Sequence, residues 1–199
     1  NDIFFAIKGK KHDGSKFLRE ALKRKASLVI TSKINKKLIL SKQIKVDHTL
    51  HFLTKCASDY RNVIKTNIIG ITGSCGKTTL KELLGNSLKK ITKTYFSPKS
   101  FNNKFGVPLS LFNLKEDKKF GVFELGMDKK GEINFLSKIL KPNLGIITNI
   151  SYAHSKNFKN IKGIAEAKSE IIENIKSGGS IILNNDDEFF KFLKSKALK

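Results

Sequence analysis

Residues 67–79, Asn-Ile-Ile-Gly-Ile-Thr-Gly-Ser-Cys-Gly-Lys-Thr-Thr, limit what this chain can fold into more than any other stretch. An apolar run rich in β-branched residues breaks into Gly73 and Gly76, then into a basic, hydroxyl-bearing segment in which Leu80, Leu83, Leu84 and Leu88 recur at helical spacing. A buried strand that feeds a glycine turn and a helix N-terminus presents backbone N–H groups and the positive end of a helix dipole to an anion. Gly73, Ser74, Cys75, Gly76, Lys77, Thr78 and Thr79 therefore read as a cradle for nucleotide phosphates, with Lys77 reaching phosphate oxygens and Thr78 a magnesium ion. The general P-loop spacing would put a glycine where Ile71 stands, so the match is to a shorter Thr-Gly-Ser-x-Gly-Lys-Thr form.

The rest of the chain supplies a scaffold for such a loop. From 65 to 199, strand-like runs at 68–72, 94–96, 121–125, 144–150 and 181–184 alternate with helix-length segments, the pattern of a mostly parallel sheet with helices on both faces. Ligands of these sheets bind beyond the carboxyl ends of the strands. Residues 1–64 read as a separate, smaller α/β domain: strands at 3–7 and 28–30, a further candidate strand at 38–40, a helix carrying Phe17, Leu18, Ala21 and Leu22, and a second helix over 49–60. His12 and Asp13 fall in a polar turn between strand and helix and carry no chemistry of their own.

Charge narrows the choice of partners. The net charge of +22 invites a nucleic-acid reading, but the arginines are only Arg19, Arg24 and Arg61, the lysines are scattered, and tryptophan is absent. Nucleic-acid readers lean on Arg forks and aromatic platforms, so no nucleic-acid partner is expected. Cys56 and Cys75 are the two cysteines, and a disulfide would lock the phosphate loop, so both are expected to be reduced thiols in the cytoplasm. No apolar run is long enough to span a bilayer.

Three further residues are candidates for chemistry, two of them at or just after strand ends. Glu124 closes the run Phe120-Gly-Val-Phe-Glu, the Walker-B place for holding Mg²⁺. His154 follows the next strand across a short loop. Lys168, on the segment Gly163-Ile-Ala-Glu-Ala-Lys-Ser-Glu-Ile, reads by itself as a solvated lysine.

The set Thr72-Gly-Ser-Cys-Gly-Lys-Thr-Thr, Asn102-Asn103-x-x-Gly106-Val107-Pro108, Glu124-x-Gly126 with Gly131-Glu132-Ile133, Thr148-Asn149-Ile150 with Ala153-His154, and Ala165-x-Ala167-Lys168-x-Glu170-Ile171 resembles the Mur ligase family. Asp2-Ile-Phe-Phe-Ala-Ile-Lys-Gly9 with Asp13, Gly14 and Phe17 is similar to the UDP-substrate domain of that family, so the likeness runs over essentially the whole chain.

The resemblance implies an ATP- and Mg²⁺-dependent amide ligase of peptidoglycan synthesis, monomeric, closest to the branch that joins D-Ala-D-Ala to UDP-N-acetylmuramoyl-tripeptide through an acyl phosphate. Amino-acid-adding Mur ligases, folylpolyglutamate-type synthetases and a basic P-loop ATPase are the alternatives. By the same resemblance Lys77, His154 and Lys168 are catalytic, and Asn102 and Asn103 lie on the substrate path. Thr78, Glu124, His154 and Lys168, the last as a carbamate, serve the metals. The resemblance also implies a chain truncated at both ends and lacking a C-terminal domain, so that residues 1–199 alone are not expected to form the amide bond.

Overall fold

The computed structural model describes residues 2–9, 12–152 and 157–198. They form two compact units, one ending at Cys56 and the other beginning at Ala57. The division falls inside a helix, ahead of the boundary expected near 64, because the end of that helix packs into the second core through Ala57 and, just beyond it, Ile64.

In the first unit, β1 (Ile3–Phe5), β2 (Leu28–Thr31) and β3 (Gln43–Lys45) make a parallel sheet in the order β1-β2-β3. Helix α1 (Leu18–Lys23) packs Leu18 with Ala6, Ala26 and Val29. The expected strand at 38–40 is not one: Leu40–Lys42 is a 3-10 turn, with Ile39 and Leu40 exposed, and the third strand follows it. Its position is set by tertiary pairing, Val29 opposite Gln43, and by the Gln43 amide, which bonds Asn35 N–H and the Asn35 and Ile39 carbonyls. The turn at Asp13 is local structure, as expected: its Oδ1 accepts Ser15 N–H at 2.9 Å.

Helix α2 (Thr49–Val63) leads into the second unit. There β4 (Asn67–Thr72), β5 (Thr94–Phe96), β6 (Phe120–Glu124), β7 (Leu144–Ile147) and β8 (Ser180–Leu183) form an all-parallel sheet in the order β5-β6-β4-β7-β8. The chain enters at the central strand β4, passes to the edge strand β5, returns to β6 beside β4, and then crosses to β7 and β8 on the other side. The carboxyl end of β4, flanked by β6 and β7, is thus the point where the strand order reverses, the place where sheets of this kind bind their ligands.

Both faces of this sheet are buried, which is why β4 reads as a continuous apolar run rather than an alternation. Ile69 and Ile71 pack under α3 (Lys77–Lys89) through Leu80, Leu84 and Leu88. Ile68, Phe123, Leu125 and Ile147 face the larger core built by α4 (Gly106–Phe112), α5 (Glu132–Leu140), α6 (Ile161–Ser169) and α7 (Phe190–Ala197). Among the described residues no helix is long and apolar enough to cross a membrane.

Candidate active site

The loop between β4 and α3 begins with a glycine that nothing else can replace. Gly73 has φ +144°, and a Cβ there would stand 1.9 Å from Thr148 Oγ1. Gly76, at φ +80°, precedes the first helical residue, Lys77. These two turns aim the first-turn N–H groups of α3, at Lys77, Thr78 and Thr79, out of the helix end without intrahelical partners.

The residues just past β7 lash this loop in place. Asn149 Oδ1 accepts Cys75 N–H at 3.0 Å, the Asn149 carbonyl accepts Ser74 N–H at 2.9 Å, and Thr148 Oγ1 donates to the Cys75 carbonyl at 2.6 Å. Ser74 Oγ accepts Ser151 N–H at 2.8 Å and donates to its carbonyl at 3.0 Å. Thr148 and Asn149, which enter the sequence analysis only as part of the family motif with no task of their own, thus hold the phosphate loop. The signal was available in the run Thr148-Asn149-Ile150 after an apolar strand.

Two lysines converge on one oxygen. Lys77 Nζ donates to the Gly73 and Ser74 carbonyls at 2.8 and 3.0 Å, and Lys168 Nζ, from α6, donates to the same Gly73 carbonyl at 2.8 Å. Lys168 is 1% exposed. Burial, and then the positive charge of Lys77, pushes its pKa down to about 7. The solvated lysine that its local sequence suggests is therefore a buried amine at the phosphate loop, neutral in good part at physiological pH.

Its helix is held there by a carboxylate two residues on. Glu170 accepts Gly131 N–H at 2.8 Å and Asn134 N–H at 3.0 Å, capping the N-terminus of α5.

Opposite the lysines stands Glu124, at the end of β6 and 2% exposed. Its Oε2 accepts Thr78 Oγ1–H and its Oε1 accepts Asn102 Nδ2–H, each at 2.7 Å. A carboxylate and a hydroxyl converging from two elements form a hard oxygen donor set, suited to Mg²⁺. Among the described residues no group of three or more His, Cys, Asp or Glu side chains gathers into a metal site. His154 lies outside the described residues.

Of the two asparagines expected on the substrate path, Asn102 faces the acid. Asn103 turns away, its Oδ1 accepting Phe105 and Gly106 N–H at 3.0 Å each at the start of α4.

Comparison with known proteins identifies relatives of this fold. The family described as Mur ligase middle domain matches residues 71–199. A UDP-N-acetylmuramoyl-tripeptide--D-alanyl-D-alanine ligase from Buchnera aphidicola subsp. Acyrthosiphon pisum is 39% identical over 188 residues, covering 94% of this chain and 41% of that protein. The crystal structure of MurF from Acinetobacter baumannii matches with a TM-score of 0.91 at 32% identity, over 99% of this chain and 43% of that one. The crystal structure of MurF from Thermotoga maritima in complex with ADP matches at 0.86 and 30% identity, over 100% of this chain and 45% of that one. The chain thus spans about two fifths of the length of the curated relatives it matches.

Proposed function

Because the chain belongs to the Mur ligase family through its middle domain, we propose that it carries the nucleotide-binding part of a ligase that joins D-Ala-D-Ala to UDP-N-acetylmuramoyl-tripeptide. The substrates are taken from the named relatives. The reaction type is supported chiefly by one observation, the Thr78–Glu124 contact at 2.7 Å facing a loop on which two lysines converge.

A carboxylate is a poor electrophile, so amide formation needs activation and a site that tolerates accumulating negative charge. When bound, ATP supplies the phosphoryl group that turns the substrate carboxylate into an acyl phosphate, and Mg²⁺ neutralises the charge that develops. The chain's own groups prepare this. The N–H groups of Lys77, Thr78 and Thr79 and the Lys77 ammonium bind the phosphates. Thr78 Oγ1 and the Glu124 carboxylate would hold the metal, and Asn102 fixes the carboxylate's orientation through its Oε1.

Lys168 suits carbamylation: its amine is neutral in good part near pH 7, which is the form that adds CO₂, and the product is an anion facing the metals instead of a cation. His154 is proposed as a further metal ligand. With ATP and a UDP-linked peptide as substrates, the reaction is cytoplasmic and needs no nucleic acid.

The test is amide formation by the full-length protein supplied with ATP, Mg²⁺, UDP-N-acetylmuramoyl-tripeptide and D-Ala-D-Ala, with Lys77→Ala as the control. The unmutated enzyme should make the pentapeptide product and Lys77→Ala should lose at least about a hundredfold in rate, the scale seen when one preorganised charge-stabilising donor is removed. A Lys77→Ala enzyme with normal turnover would contradict the reading.

A further inference from the structure

Lys81 lies one helical turn beyond Lys77 on α3, and its side chain is 0% exposed. A buried ammonium needs partners. Its Nζ donates to the Lys99 carbonyl and stands 3.0 Å from Glu82 Oε1. The Lys99 carbonyl belongs to a turn, Pro98 to Phe101, closed by Phe101 N–H to the Pro98 carbonyl at 3.2 Å. Lys99 occupies the second position with φ +47°, a conformation that non-glycine residues avoid.

This turn delivers Asn102. Asn102 N–H bonds the Ser100 carbonyl at 2.8 Å, the Asn102 carbonyl accepts Gly126 N–H at 2.7 Å, and the side chain meets Glu124 as described. A lysine suits the task because its apolar stem can lie within the layer between α3 and the sheet while its head donates to a carbonyl beyond.

We propose that Lys81 is a positioning residue that holds the Pro98–Phe101 turn in its left-handed form and thereby sets Asn102 against the Glu124 carboxylate. Lys81 touches no reacting atom; it acts through the turn. The phosphate loop and the acid that serves the metal are then coupled through α3, since Lys77 and Lys81 sit on the same helix face. The functional consequence rests on the proposed role of Glu124, whereas the geometric claim does not.

The experiment uses the full-length enzyme with two variants, Lys81→Met, which keeps the stem and removes the donor, and the double variant Lys81→Met with Lys99→Gly. In Lys81→Met, amide hydrogen exchange at Phe101 and Asn102 should quicken about tenfold or more. The Mg²⁺ concentration that gives half of the ADP-dependent thermal shift should rise by about the same factor, while metal-free ADP affinity stays within about twofold. Lys99→Gly should reverse both effects, because glycine takes positive φ without strain.

Unchanged exchange at Phe101 in Lys81→Met, or a loss that Lys99→Gly does not reverse, overturns the proposal. Should Lys81→Met alone not fold, a folded double variant with a normal Mg²⁺ response supports it and an unfolded one counts against it. Failure of the unmutated enzyme to ligate would sink the proposed function, yet exchange at Phe101 would still decide the role of Lys81.

Discussion

Lys168 Nζ and the Gly73 carbonyl, 95 residues apart in the chain, meet at 2.8 Å, and that contact fixes α6 to the phosphate loop. The same oxygen takes the Lys77 ammonium at 2.8 Å, so two cations share one acceptor and the buried one is pushed toward neutrality. A carbamate on Lys168 would turn the repulsion between them into attraction. Replacing Lys168 with Ala should therefore cost the full-length enzyme most of its activity, and short carboxylates such as acetate, filling the vacated anionic position, should restore part of it. Unchanged activity in the unsupplemented variant would remove Lys168 from the mechanism.

The lowered pKa of Lys168 also predicts how stability depends on pH in the metal-free, uncarbamylated protein. Between about pH 7 and the ordinary lysine value of 10.5, the unfolded chain holds a proton that the folded one does not. Stability therefore rises with pH across that window, and below pH 7 the cost of burying the charge is present in full. Lys168→Met should be more stable than its parent at pH 6, with the advantage shrinking as pH climbs from 7 to 10. Thermal melts at several pH values check this; an advantage that grows with pH contradicts it.

How much of this was legible in the sequence differs residue by residue. The phosphate loop was readable because its signal is local: a β-branched strand, glycines at the turns and Lys-Thr at the helix start. Glu124 was readable from its place at the end of an apolar run. Strand β3 was not, since Gln43-Ile-Lys45 has no apolar pattern and exists through pairing with β2 and the bonds of the Gln43 amide. Lys81 and Lys168 both look like solvent-facing lysines on amphipathic helices. The fold shows that each is buried; for Lys168 the family resemblance implied a metal-side role, while nothing in the sequence singled out Lys81.

Glu124 offers a separable test of the metal site. Glu124→Gln keeps the shape and an acceptor but removes the charge that draws Mg²⁺. The Mg²⁺ needed for half-maximal activity should rise about tenfold or more, with binding of metal-free ADP little changed. Equal Mg²⁺ requirements in parent and variant would assign Glu124 a purely structural role.

Arg61 carries a stability prediction remote from the chemistry. Fully buried, it donates to the carbonyls of Leu140, Lys141 and Ile64 and to Asn143 Oδ1, closing the C-terminal end of α5. Burial lowers its pKa to about 10, which leaves it protonated at neutral pH. Arg61→Met would strand these acceptors and should cost about 3 kcal/mol or more, read as a lower denaturant midpoint. A shift near zero would show that water or other donors replace the guanidinium.

In the proposed reaction the substrate carboxylate passes through an acyl phosphate at the Gly73–Thr79 loop. The most direct measurement uses UDP-N-acetylmuramoyl-tripeptide with heavy oxygen in its terminal carboxylate, turned over by the full-length enzyme with ATP, Mg²⁺ and D-Ala-D-Ala. An acyl phosphate sends one carboxylate oxygen out with the phosphate when the amine attacks the carbonyl carbon, so the released inorganic phosphate should carry one heavy oxygen per amide formed. Phosphate free of label, alongside normal amide formation, would contradict the account.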